Sequence, residues 1–79
     1  MNYTDNNGHF IQKTKERNGM DYGILVNTNT NAVSWEQPIA TIENHMHGSE
    51  WVEIPELPPE AQAIIARGLP ENPSPAELS

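Results

Sequence analysis

With 79 residues, no cysteine and a formal charge of −7, the chain has room for one small domain, which no disulfide or thiolate metal site can staple. A core of this size covers only about 60–65% of the surface that the unfolded chain exposes. Stability must therefore come from a few branched and aromatic residues, from oligomerisation, or from docking on a partner.

The charge is unevenly placed. Up to Ser34 the acids Asp5, Glu16 and Asp21 are balanced by Lys13, Lys15 and Arg17. From Trp35 onward, Glu36, Glu43, Glu50, Glu53, Glu56, Glu60, Glu71 and Glu77 face Arg67 alone. Such a surface repels phosphate backbones, so direct nucleic-acid binding is not expected, whereas a protein with a basic surface is a fitting partner. No apolar run approaches the ~20 residues of a membrane span. The start, MNYTDNNGHF, lacks the basic and apolar regions of a signal peptide. The expectation is a cytoplasmic protein, or one held in a macromolecular assembly such as a virion, with no membrane contact.

In chain order, residues 1–8 are polar, end in Asn7-Gly8 and read as a flexible arm. HFIQKTKE (9–16) alternates as a strand, with Phe10 and Gln12 facing one way and Ile11 and Lys13 the other. Asn18-Gly19 is a hairpin signal, because both residues tolerate positive φ. DYGILVN (21–27) is a second strand, an Asn/Thr turn follows, and AVSWE (32–36) makes a third. Together they predict a three-stranded antiparallel meander over about 9–37.

Pro38 ends that strand, since it cannot donate a ladder hydrogen bond. Over 38–48 two readings compete, a short helix and a fourth strand turning at Gly48-Ser49. The helix is preferred, because Ile39, Ile42 and Met46 share one helical face and Pro38 suits a helix start. SEWVEIPEL (49–57) reads as an edge strand or extended segment that ends at Pro55. PPEAQAIIARG (58–68) is the clearest helix, with Leu57, Ala61, Ile64 and Ile65 as the stripe that must dock. Residues 69–79 carry three prolines and no apolar period, and read as a flexible or extended tail. The fold class is thus α+β: a small three- to four-stranded antiparallel sheet, one or two short helices and a proline-rich tail, with a single domain over 9–68.

Val26, Asn27, Thr30, Trp35 and Pro38 stand at the spacing of the second hairpin of WW domains, and the meander over residues 10–38 resembles that family. The resemblance implies a three-stranded sheet whose Trp35, with an aromatic on the second strand, forms a slot for a proline-rich peptide. That second-strand position falls at Ile24, with Tyr22 two residues away on the same face, and the family's first Trp has no counterpart here. The alternative use of Trp35 is as a core residue of the sheet, and core use is preferred for each of the few aromatics. A third use is stacking on Pro58 or Pro59, which would fasten the helix to the sheet.

His45 and His47 form an His-x-His pair that would share one face of a strand but point about 200° apart on a helix. Without a third ligand at a defined spacing they read as a solvated pair. The glutamates lie in segments expected to face solvent, and no catalytic motif or phosphate loop is present. A domain this small scarcely builds a reaction pocket and keeps a core.

The chain is therefore read as non-catalytic, without metal or cofactor. It is expected to bind another protein as an accessory or inhibitory subunit engaging a basic surface. The alternatives are a structural component ordered on assembly, such as a virion part, and a WW-like peptide-binding module; a homo-oligomer or larger assembly fits any of these. Candidate partner-binding residues are Tyr22, Ile24, Trp35, Glu36, Glu43, Glu50, Trp51 and Glu53.

Overall fold

The structure, a computed structural model, describes residues 1–46, Gly48 and 50–67. The tail expected over 69–79 and His47 of the His-x-His pair lie outside the described residues. Among the described residues, no helix is long and apolar enough to cross a membrane.

Strands β1 (Asn2–Thr4), β2 (His9–Arg17) and β3 (Met20–Asn27) are followed by two short pieces, β4 (Ala32–Val33) and β5 (Gln37–Pro38). Helix α1 (Ile39–His45), strand β6 (Val52–Ile54) and helix α2 (Pro59–Ala66) complete the order. The strands form one antiparallel sheet in the order β4–β3–β2–β1–β6, and β5 also pairs with β3. The α+β class holds, but among the described residues the sheet has six strands rather than three or four.

The β2–β3 hairpin turns at Asn18-Gly19 with φ of 53° and 78°, the two positive values that a two-residue turn matched to strand twist requires. In β3 every residue from Gly23 to Asn27 is buried, as a strand covered on both faces demands. Ile11 pairs with Leu25 and Phe10 with Val26, so adjacent pairs serve opposite faces. On one face Ile39, Ile42 and Met46 close over Ile11 and Leu25, with Tyr3, Ala32 and Trp51 at the margin. On the other, Leu57, Ala61 and Ile64 cover Ile24, Val26 and Val33, with Phe10, Ile54 and Ile65 alongside. Ile11, Leu25, Val26, Val33 and Ile42 are at most 1% exposed, and burying each such side chain contributes about 1.5–3 kcal/mol. The helical stripes expected for 38–48 and 58–68 are the ones that dock.

The third strand of the meander is not continuous. Val33 pairs with Val26 and Gln37 with Gly23, so residues 34–36 oppose only Ile24 and Leu25. This is a β-bulge, and Ser34 makes it possible. Its N–H donates to Leu25 O (2.8 Å), while its Oγ accepts from Leu25 N–H (2.9 Å) and donates to Trp35 O (3.0 Å). The hydroxyl stands where a ladder carbonyl would. A second irregularity lies across β3, where the register with β2 shifts between Lys13 and Lys15. Gly23 sits between the two. A Cβ there would lie 2.5 Å from Gln12 O and 3.2 Å from an Ile39 side-chain carbon, so close backbone approach requires glycine.

The expected arm over 1–8 is corrected as well. Asn2–Thr4 is an inner strand, paired with β2 on one side and β6 on the other. The following turn is built around Asp5, whose Oδ1 accepts from Asn7 N–H (2.8 Å) and His9 N–H (3.2 Å). Its Oδ2 meets His9 Nδ1 at 2.8 Å. Asn6 and Gly8 take the positive φ values that the turn needs.

Candidate functional site

The residues singled out in the sequence fall into separate regions. Tyr22, Trp35 and Glu36 lie at the bulged β4/β5 side of the sheet. Lys15 Nζ bridges this group, 2.9 Å from Glu36 Oε1 and 5.4 Å from the centre of the Tyr22 ring. The Thr14 hydroxyl and, after it, the Lys15 ammonium hold the Glu36 carboxyl below the usual glutamate range. Trp35 is 47% exposed and belongs to neither core cluster, which corrects the preferred reading of it as a core residue: the bulge carries it out of the ladder. Ile24 corrects the expectation of a surface slot with Tyr22: it is 5% exposed, in the cluster beneath α2.

Glu50, Trp51 and Glu53 lie at the opposite edge, on and just before β6. With β3, β2 and β1 between, the two edges are roughly 19 Å apart at the usual strand spacing. Trp51 is half-buried against the α1 cluster, and its indole N–H has no partner among the described residues. Glu43 stands exposed on α1, beside the groove that Met20 and Asp21 of the hairpin also line. His45 is exposed at the last turn of α1. Among the described residues no three His, Cys, Asp or Glu side chains gather as a metal site would require.

A larger feature adjoins β6. A groove of about 620 Å³ runs between the β1–β2 turn and the segment 54–60. Phe10, Ile54 and Leu57 supply its apolar lining, Pro55, Pro58 and Pro59 its stiff side, and Glu56 and Glu60 its carboxylates. The segment is pinned from below, since Asn2 Nδ2 donates to Pro55 O (3.4 Å) and Gln62 Nε2 to Leu57 O (2.6 Å). Proline at the first position of α2 loses no hydrogen bond, and it lets the chain enter the helix directly from this wall. The prolines of IPELPPEA were visible in the sequence; their meeting with Phe10 and the β1–β2 turn was not.

Behind that turn lies a polar knot that sequence reasoning also missed. His9 Nδ1 is held by Asp5, and its Nε2 lies 3.4 Å from Asn27 Nδ2. Thr28 donates to Gly8 O through N–H (2.8 Å) and hydroxyl (3.0 Å), and Asn29 Nδ2 donates to Asn7 O (3.0 Å). The two turns are thereby tied together. With a partner at each ring nitrogen, His9 ties the turn to the end of β3. An Asp-x-x-x-His spacing across an Asn-Gly pair was the available signal.

Compared with known proteins, the chain matches no family model, and neither the curated proteins nor the solved structures yield a match.

Proposed function

We propose that the protein is a non-catalytic accessory or inhibitory subunit that binds another protein through a basic surface of that partner. One observation carries this reading. Glu43, Glu50, Glu53, Glu56 and Glu60 are all exposed, and none makes an ion pair among the described residues. No lysine or arginine interrupts the chain between Glu36 and Glu60. By contrast, Lys13 and Lys15 are engaged with Asp21 and Glu36. Unneutralised carboxylates on α1, on and beside β6, and at the start of α2 raise the encounter rate with a cationic surface and reject an anionic one.

The groove beside β6 adds a place for an apolar anchor, which gives such a contact affinity as well as attraction. The test begins with a photo-crosslinking residue at position 50, introduced in the host to capture the partner. Affinity for the purified partner is then measured across ionic strength. It is expected to fall steeply as salt rises, and a flat profile would remove the basic-surface reading.

A further inference from the structure

We propose that the outer edge of β6 receives an extended basic segment of the partner as an added strand. This deepens the function proposed above and rests on its basic partner. The register supplies the first argument. Met1 O accepts from Lys13 N–H, so Met1 and Tyr3 turn their backbone groups toward β2, and Asn2 and Thr4 turn theirs toward β6. Asn2 pairs with Ile54 and Thr4 with Val52, so those two residues of β6 spend their backbone groups on β1. The N–H and C=O of Glu53 then point away from the sheet, and no described strand lies beyond them. They are the groups that strand addition uses.

The side chains specify the occupant. Glu53 stands opposite Tyr3, on the α1 face, while Val52 lies on the α2 face and is 46% exposed. An incoming strand alternates in the same way. It meets Glu53 with lysine or arginine, and meets Val52 with an aliphatic residue. A second copy of the chain fits poorly: a two-fold pairing centred on Glu53 sets that residue against itself and Glu50 against Glu56, and like charges opposed across strands are destabilising. Residues 68–79 carry Glu71 and Glu77, no base, and three prolines that cannot donate to a ladder.

The probe is a short fluorescein-labelled peptide of alternating Lys and Val, measured by anisotropy against the full chain. Three comparison peptides are the same sequence N-methylated at alternate residues, a Glu–Val version, and a lysine-rich helical peptide of equal charge. Two variants, Glu53→Pro and Glu53→Gln, lose the same charge. Only the first also loses the outward N–H, and proline is tolerated on an edge at that kind of position.

The Lys–Val peptide is expected to bind, and to bind about tenfold more weakly when N-methylated or when offered Glu53→Pro rather than Glu53→Gln. Amide NMR of residues 2–4 shows that β1–β6 pairing survives in the proline variant. Equal binding by the methylated peptide, or by the two variants, overturns strand addition, and so does no binding by the Lys–Val peptide. Dimerisation lost in Glu53→Pro, or binding seen only after removal of 68–79, assigns the edge to a second copy or to the chain's own tail and likewise overturns it. If the helical peptide binds as well as the extended one, the basic-partner reading stands and strand addition falls. If the Glu–Val peptide binds as well as either, both fall.

Discussion

Ser34 does at the bulge what a backbone carbonyl does elsewhere in the ladder, and it is wholly buried while doing so. Removing its hydroxyl leaves the N–H of Leu25, itself 0% exposed, without an acceptor. A buried donor stripped of its partner costs about 1–3 kcal/mol. Ser34→Ala is therefore expected to lower the urea midpoint by that free energy at unchanged slope; a loss within about 0.5 kcal/mol, the range of an ordinary surface change, would mean that the bulge is held by something else. Two residues away, Glu36 offers a pH probe of the same region. Its carboxyl sits below the usual glutamate range because of Thr14 first and Lys15 second. A carboxyl depressed in the folded state stabilises the fold at pH above its unfolded value, and that contribution is lost as pH falls through the folded value. Carbon-detected NMR titration should find the Glu36 midpoint moved upward in both Thr14→Val and Lys15→Met. An unchanged midpoint in both would separate Glu36 from its neighbours.

At the scale of elements, what was legible in the sequence was what local chemistry decides. Asn18-Gly19 imposes its turn through its own φ values, and Ile39, Ile42 and Met46 declare a helical face by spacing alone. The prolines at 58 and 59 mark the start of α2 in the same local way. β1 was not legible, because a strand of three residues, Asn-Tyr-Thr, has no pattern until its neighbours exist. One of those neighbours, β6, lies some fifty residues further along the chain. The Asp-Asn-Asn-Gly run after it has the composition of a loose arm and becomes a defined turn only when the Asp5 carboxylate is enclosed. The candidate site was half legible for the same reason: Glu53 of β6 and Glu50 before it were recognised, while the groove needs Phe10 and Leu57 brought together. Because Asp5 joins turn, strand and His9, Asp5→Ala should act on the whole element. Breaking a buried hydrogen-bonded carboxylate network costs about 3 kcal/mol. Amide exchange should accelerate across residues 2–4 and 52–54 together. Fast exchange confined to the turn, with β1 and β6 still protected, would show that the strands stand without it.

At the scale of the whole molecule, the question is whether one sheet with a helix on each face behaves as one body. The two apolar clusters share no residue, but they share β3, whose Leu25 serves one and whose Ile24 and Val26 serve the other. A chain of 79 residues has roughly 4–12 kcal/mol of total stability at ordinary values per residue. Neither half can therefore lose much without the other responding. Ile64→Ala on the α2 side removes a side chain that is 3% exposed and should cost about 2–5 kcal/mol. Trp51 reports from the opposite side, where it packs on the α1 cluster. In a Trp35→Phe background, which leaves Trp51 as the sole indole, its fluorescence in urea should shift to the same lower midpoint as the far-ultraviolet circular dichroism. That coincidence means the central strand transmits the loss from one face to the other, so a partner drawn onto β6 would stabilise the α1 and α2 faces alike. A Trp51 midpoint left where it was, with the circular dichroism moved, would divide the molecule into two independently unfolding faces and confine any effect of the partner to the one it touches.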